Sequence, residues 1–215
     1  VSDLLWHLSG VQRWATEIVR TGARERISRT ALMHTFAPVP ADAMADWFDD
    51  GARHLLATLR GADRALECWT FFAAPTPLAF WARRQAHEAA IHAVDVEVVT
   101  GTPSPFPAWF AADGIDELLV GFLPRGDDAL PTAPHPGERA LAIAPDDVAA
   151  GWTVRFGPGG PEVTPTVAPD AACTIAGSAS DCYLYVWNRP TPQGAIALRG
   201  DTALLEYWKE RSRVW

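Results

Sequence analysis

The sequence predicts an α+β fold, a helical bundle followed by a smaller unit with a mixed sheet. Three observations carry this. Through the first half, apolar residues recur at three- and four-residue spacing, as on helices that bury one face. The stretch Pro124–Gly137, with four prolines and two glycines, then breaks the pattern. Beyond it come short apolar runs of strand length, separated by turn residues. The expected domains are 1–123, helical; 124–137, a linker; and 138–215, α+β.

Leu4, Leu8, Val11, Ala15 and Ile18 share one face, so residues 3–20 are expected as a helix that ends at Thr21-Gly22. Glu25–Pro40 is expected to be connection. Ala41–Arg60 makes a second helix, with Met44, Phe48, Leu55 and Leu59 on one side and Gly61 as its stop. Thr76-Pro77 supplies a cap and a first-turn proline for a long helix to about Val99. Trp109–Leu123 would complete the bundle as a fourth helix. Strands are expected at Arg139–Ala144, Trp152–Phe156, Glu162–Val167 and Cys173–Ala176, with a hairpin turn at Gly157–Gly160. Ser180–Trp187 reads as a helix, Ala195–Arg199 as a strand, and Asp201–Arg213 as a closing helix capped by Asp201.

Composition narrows the function. Hydrophobic residues make up 48% and charged residues 20%, which is ordinary globular usage, while ten tryptophans in 215 residues point to ring-rich contacts. A net charge of -8 without a basic cluster argues against a nucleic-acid partner. No apolar run approaches the roughly 20 residues of a membrane span. The three cysteines, Cys68, Cys173 and Cys182, are odd in number and widely spaced, as expected of free thiols in a cytoplasmic protein. The helical pattern is already under way at Val1, so a natural segment is expected to precede it.

The richest segment for chemistry is Arg83–Asp95. His87 and His92 are five apart, about 140° around a helix, and cannot share an ion. Glu88 and His92 are four apart, about 40°, and can. Arg84 lies one turn before Glu88, and Asp95 nearly one turn after His92. A metal site would need a third ligand from another helix. His7, in line with Leu4, Val11 and Trp14, is the best placed, giving two histidines and a carboxylate, the donor set of open catalytic zinc sites. The alternative reading makes Arg84, Glu88, His92 and Asp95 a solvated ion-pair face and His7 a hydrogen-bonded core histidine. His34, His54 and His135 lack partner spacing. There is no Gly-x-Ser-x-Gly elbow, P-loop or dinucleotide fingerprint.

At these residues the sequence resembles the mycothiol-dependent maleylpyruvate isomerase family. The resemblance rests on Val1–Leu8, on Trp81–Asp95 with its Arg-Arg, Glu-x-x-x-His and Asp, and on Asp113–Leu119. In the second half it rests on Gly177–Asp181, Trp187-Asn188-Arg189 and Gly200-Asp201. It implies a DinB-like metal-binding bundle, whose first helix would precede Val1, and a sterol-carrier-like C-terminal domain. It carries the metal-ligand role onto His7, Glu88 and His92, with zinc as the expected ion. Asp95 is expected to orient a ligand histidine. Arg84 and Arg189 are the candidate catalytic residues, Arg84 pairing with a carboxylate of protein or substrate and Arg189 either holding substrate or capping its helix.

The implied reaction is cis–trans isomerisation by addition and elimination of mycothiol or another low-molecular-weight thiol, on a small-molecule substrate. The alternatives are a thiol S-transferase acting on an electrophilic metabolite and a non-catalytic small-molecule binder.

Overall fold

Helix α1 spans Ser2–Thr21 and buries Leu8, Val11, Ala15, Ile18 and Val19, with Asp3 in its first turn and Arg20 in its last, both favourable to the helix dipole. Gly22 ends it at φ +61°, a left-handed value that glycine adopts without strain. The computed structural model describes residues 2–101, 103–125, 139–157 and 160–212. It divides into two units, Val1–Val96 and Glu97–Trp215.

In the first unit, the expected connection 25–40 contains a short helix, α2, Arg29–Met33. Ser28 caps it, its hydroxyl accepting a hydrogen bond from the Ala31 amide at 3.2 Å. A five-residue helix is too short to show an apolar period, and the cap is its only local sign. A 3₁₀ turn at Ala41–Ala43 leads into α3, Met44–Gly61, which buries Met44, Gly51 and Leu55. Gly51 leaves room for side chains of α1, since a Cβ there would collide with the Arg13 guanidinium. Helix α4 runs Pro77–Thr100, with the Thr76 hydroxyl accepting from the Ala79 amide at 3.1 Å as the Thr-Pro pair predicts. The core of this unit joins Ala15, Ile18 and Val19 of α1, Leu55 of α3, and Phe80 and Trp81 of α4.

The expected fourth bundle helix is α5, Ala108–Asp116, continued by a π-helical stretch, Glu117–Phe122, and a 3₁₀ turn, Leu123–Arg125. It falls within the second unit, so the division lies at Val96/Glu97 and not at the proline-rich stretch. The reason is tertiary. Gly114 accepts a hydrogen bond from the Trp187 indole at 3.0 Å, and Asp116 accepts one from the Trp152 indole at 3.1 Å. Both indoles belong to the C-terminal half. Of the linker expected at 124–137, residues 126–137 lie outside the described residues.

The strands are β1 (Arg139–Pro145), β2 (Trp152–Gly157), β3 (Gly160–Thr164), β4 (Cys173–Gly177) and β5 (Ala197–Gly200). They form one mixed sheet in the order β3-β2-β1-β4-β5. β1 is antiparallel to β2 and parallel to β4; β2–β3 and β4–β5 are antiparallel. Central β1 is buried from Ala140 to Ile143, a continuous apolar run, whereas edge strand β5 is exposed throughout. β3 starts and ends earlier than expected because Gly157 pairs directly with Gly160. Pro158 and Gly159 of the expected turn lie outside the described residues. Helix α6, Ala179–Val186, is capped by Ser178. Helix α7, Ala203–Arg211, buries Leu204, Leu205 and Trp208; its N-cap is Thr202 and not the expected Asp201, whose carboxylate accepts from the Ala203 amide at 3.1 Å one position earlier. No helix among the described residues is long and apolar enough to cross a membrane.

Candidate metal centre

Of the stripe Arg84, Glu88, His92, Asp95, the first three are largely shielded from water, and Asp95 is partly exposed. The Arg84 side chain is 4% exposed, Glu88 15% and His92 13%, which excludes the solvated ion-pair face for these three. A buried carboxylate needs partners, and Glu88 has them on both oxygens. Its Oε2 accepts from the Arg84 guanidinium at 3.2 Å. Its Oε1 lies 3.0 Å from His7 Nε2 on α1 and 3.5 Å from His92 Nε2. Arg84 thereby commits one oxygen and leaves the other turned toward both imidazoles. The His7 and His92 rings meet edge to face, their centres 5.0 Å apart. His92 Nδ1 lies 2.8 Å from an oxygen of Asp95, a contact that turns Nε2 toward Glu88.

The electrostatics follow from this arrangement. Burial alone would push the Glu88 carboxyl up, but hydrogen bonds from His7 and His92 and the positive charge of Arg84 outweigh it. Together they hold the group well below the usual carboxylate range. Burial would likewise lower the His92 pKa, but hydrogen bonds to Asp95 and Glu88 and their charges raise it to about 9.

Three donor atoms, one each from His7, Glu88 and His92, lie within 4.8 Å of one another. Bonds of about 2.0–2.1 Å at tetrahedral angles set zinc ligands roughly 3.3 Å apart. The separations of 3.0 and 3.5 Å from Glu88 Oε1 bracket that value. Two imidazole nitrogens and one carboxylate oxygen also leave a tetrahedral ion with an open position. The residues present therefore fit a divalent ion.

The other candidates lie elsewhere. His87, on the same helix, is buried and stands outside the three-donor group, as the 140° separation requires. His34 is exposed, and His54 is exposed with Nδ1 2.9 Å from the Asp50 carbonyl. His135 lies outside the described residues. Arg189 belongs to the second unit, where its guanidinium donates to the Trp187 carbonyl at 2.9 Å, the capping contact expected at the end of α6.

The fold thus defines a two-unit α+β protein whose helical half carries a centre of two histidines and a glutamate. Residues 1–97 match the model of the mycothiol maleylpyruvate isomerase N-terminal domain, and residues 109–206 match the MDMPI C-terminal domain. The chain belongs to the mycothiol-dependent maleylpyruvate isomerase family. Among solved structures it is similar to a mycothiol-dependent maleylpyruvate isomerase, at 16% identity over 92% of this chain and 76% of that one, with a TM-score of 0.62. A second similarity is to the UbiJ-SCP2 ubiquinone synthesis protein, at 20% identity over 47% of this chain and 91% of that one, with a TM-score of 0.33. No curated protein matches.

Proposed function

We propose that this chain is a divalent-metal- and thiol-dependent isomerase that acts by thiol addition and elimination on a small cis-unsaturated substrate of the maleylpyruvate type. The observation that carries the proposal is the half-buried convergence of His7, Glu88 and His92, with Arg84 on the spare oxygen of the glutamate and Asp95 on the spare nitrogen of His92. In this reading His7, Glu88 and His92 hold zinc. Coordination by such an ion favours thiolate over thiol, and the thiolate is the nucleophile.

In the reaction, thiolate sulfur bonds to one alkene carbon and the π electrons move onto the conjugated carbonyl group. The former double bond rotates as a single bond. The electrons then return, the carbon–sulfur bond breaks, and the trans isomer leaves with the thiolate regenerated. The chain's own cysteines do not fit the nucleophile's role. Burial raises the pKa of Cys68 and of Cys173, and it pushes Cys182 up to about 12, so all three favour the thiol. In this reading the thiol is a cosubstrate, as membership of the family suggests. Arg84 positions Glu88. Arg189 enters the proposal through the family resemblance alone, as a bidentate partner for a substrate carboxylate.

The test is a turnover assay on metal-loaded protein with maleylpyruvate, with and without mycothiol. Isomerisation is expected only when the thiol is present. Equal rates without it would contradict the thiol mechanism, and no turnover in either condition would set the isomerase reading aside in favour of an S-transferase or a binder.

A further inference from the structure

We infer that a tryptophan clamp on the α1–α4 seam, Trp14 against Trp81 with Trp69 wedged beside them, sets the axial register that brings His7 to Glu88. The inference rests on the proposed metal centre and concerns residues that touch none of its donor atoms.

The register is legible in two pairs of contacts. His7 meets Glu88, and Trp14 meets Trp81 with ring centres 5.2 Å apart at 88°. Seven residues forward along α1 correspond to seven residues backward along α4, so the helices run antiparallel in register. Seven residues span about 10 Å of helix axis, which is the distance from clamp to centre. A slip of one residue would move His7 by about 1.5 Å, whereas a working site needs its groups held to roughly 0.5 Å.

The clamp is fixed from outside the helices. The Trp14 indole donates to the Ile27 carbonyl at 2.7 Å, and the Trp81 indole donates to the Trp69 carbonyl at 3.0 Å. The Trp69 amide in turn donates to the Ala23 carbonyl at 2.7 Å, tying the loop after α1 to the loop before α4. The Trp69 ring touches both others, at 5.7 Å from Trp14 and 6.2 Å from Trp81. Trp81 is fully buried. Indole rings held by both their faces and their N–H groups do not reorient cheaply, so this end of the seam is rigid. Trp14, Trp69 and Trp81 are positioning residues.

Trp14→Leu is the direct test, because α1 also keeps its seat on α3. There the Arg13 guanidinium lies 3.8 Å from the centre of the Trp47 ring and donates to the Trp47 carbonyl at 2.8 Å. The readouts are zinc affinity by competition with a chelating dye and the visible spectrum of the cobalt-substituted protein, which reports ligand geometry. Trp14→Leu is expected to weaken zinc binding by roughly 10–100-fold, the scale seen when groups that orient ligands are removed, and to alter the cobalt spectrum. Trp14→Phe, which keeps a ring, should recover most of the affinity. Trp69→Leu leaves both helices intact and should shift affinity in the same direction. Met44→Ala, a truncation of a buried α3 residue outside the core cluster that holds Trp81, should lower thermal stability while leaving zinc affinity near wild type. Wild-type affinity and spectrum in both tryptophan-to-leucine variants would overturn the inference, as would an equal loss in Met44→Ala. A wild-type protein that binds no zinc would instead remove the metal reading itself.

Discussion

Glu88→Ala is expected to abolish metal retention and also to destabilise the protein, whereas His7→Ala abolishes retention with little loss of stability. The difference follows from burial and partners. Glu88 is 15% exposed and faces His7, His92 and the Arg84 guanidinium, whose side chain is 4% exposed. Removing the carboxylate takes away a ligand and the ion-pair contact it makes with the buried Arg84 guanidinium, a change that costs about 3 kcal/mol. His7 is 27% exposed, and its pairing with Glu88 contributes about 1 kcal/mol or less. Metal content after dialysis and thermal unfolding of the metal-free proteins check both halves. Stoichiometric metal in Glu88→Ala would remove Glu88 from the centre. Equal melting temperatures for the two metal-free variants would show that Glu88 does not brace α4.

Asp95→Asn is expected to weaken metal affinity by roughly 10–100-fold without changing which residues bind. The Asp95 carboxylate contacts His92 Nδ1 at 2.8 Å, orienting the ring and raising its basicity; a neutral amide still accepts a hydrogen bond but supplies no charge. The same contact has a signature in the metal-free protein. His92 is raised from 6.5 to about 9, so its protonated form contributes stability that is fully present below pH 6.5 and is lost as pH rises through 9. Glu88 is shifted the other way, so its contribution is present above its ordinary value of 4.5 and is lost as pH falls below it. Metal-free wild type should therefore lose stability between pH 6.5 and 9, and Asp95→Asn should lose less over that window. Matching pH profiles and matching affinities would return Asp95 to a surface role.

What could be read beforehand was whatever depends on local periodicity and capping. The apolar faces of α1 and α3 and the Thr76-Pro77 start of α4 are properties of short segments, and they appear at nearly the expected residues. The unit boundary was not legible, because α5 is held by indoles of Trp152 and Trp187 that lie some distance along the chain. Within the centre, Glu88 and His92 follow from helical geometry, and His7 from its place on the inward face of α1. The burial of Arg84 could not be inferred, since a charged stripe at four-residue spacing looks the same whether water or protein covers it. Nor could the pairing of Trp14 with Trp81, which depends on how far one helix slides along another.

Whether His7, Glu88 and His92 form one metal centre is tested most directly by elemental analysis of protein purified with zinc supplementation and then dialysed. About one zinc per chain is expected, falling to background in each of the three alanine variants while they remain folded. Wild-type protein without bound metal, or a folded His92→Ala variant that keeps a full equivalent, would contradict such a centre.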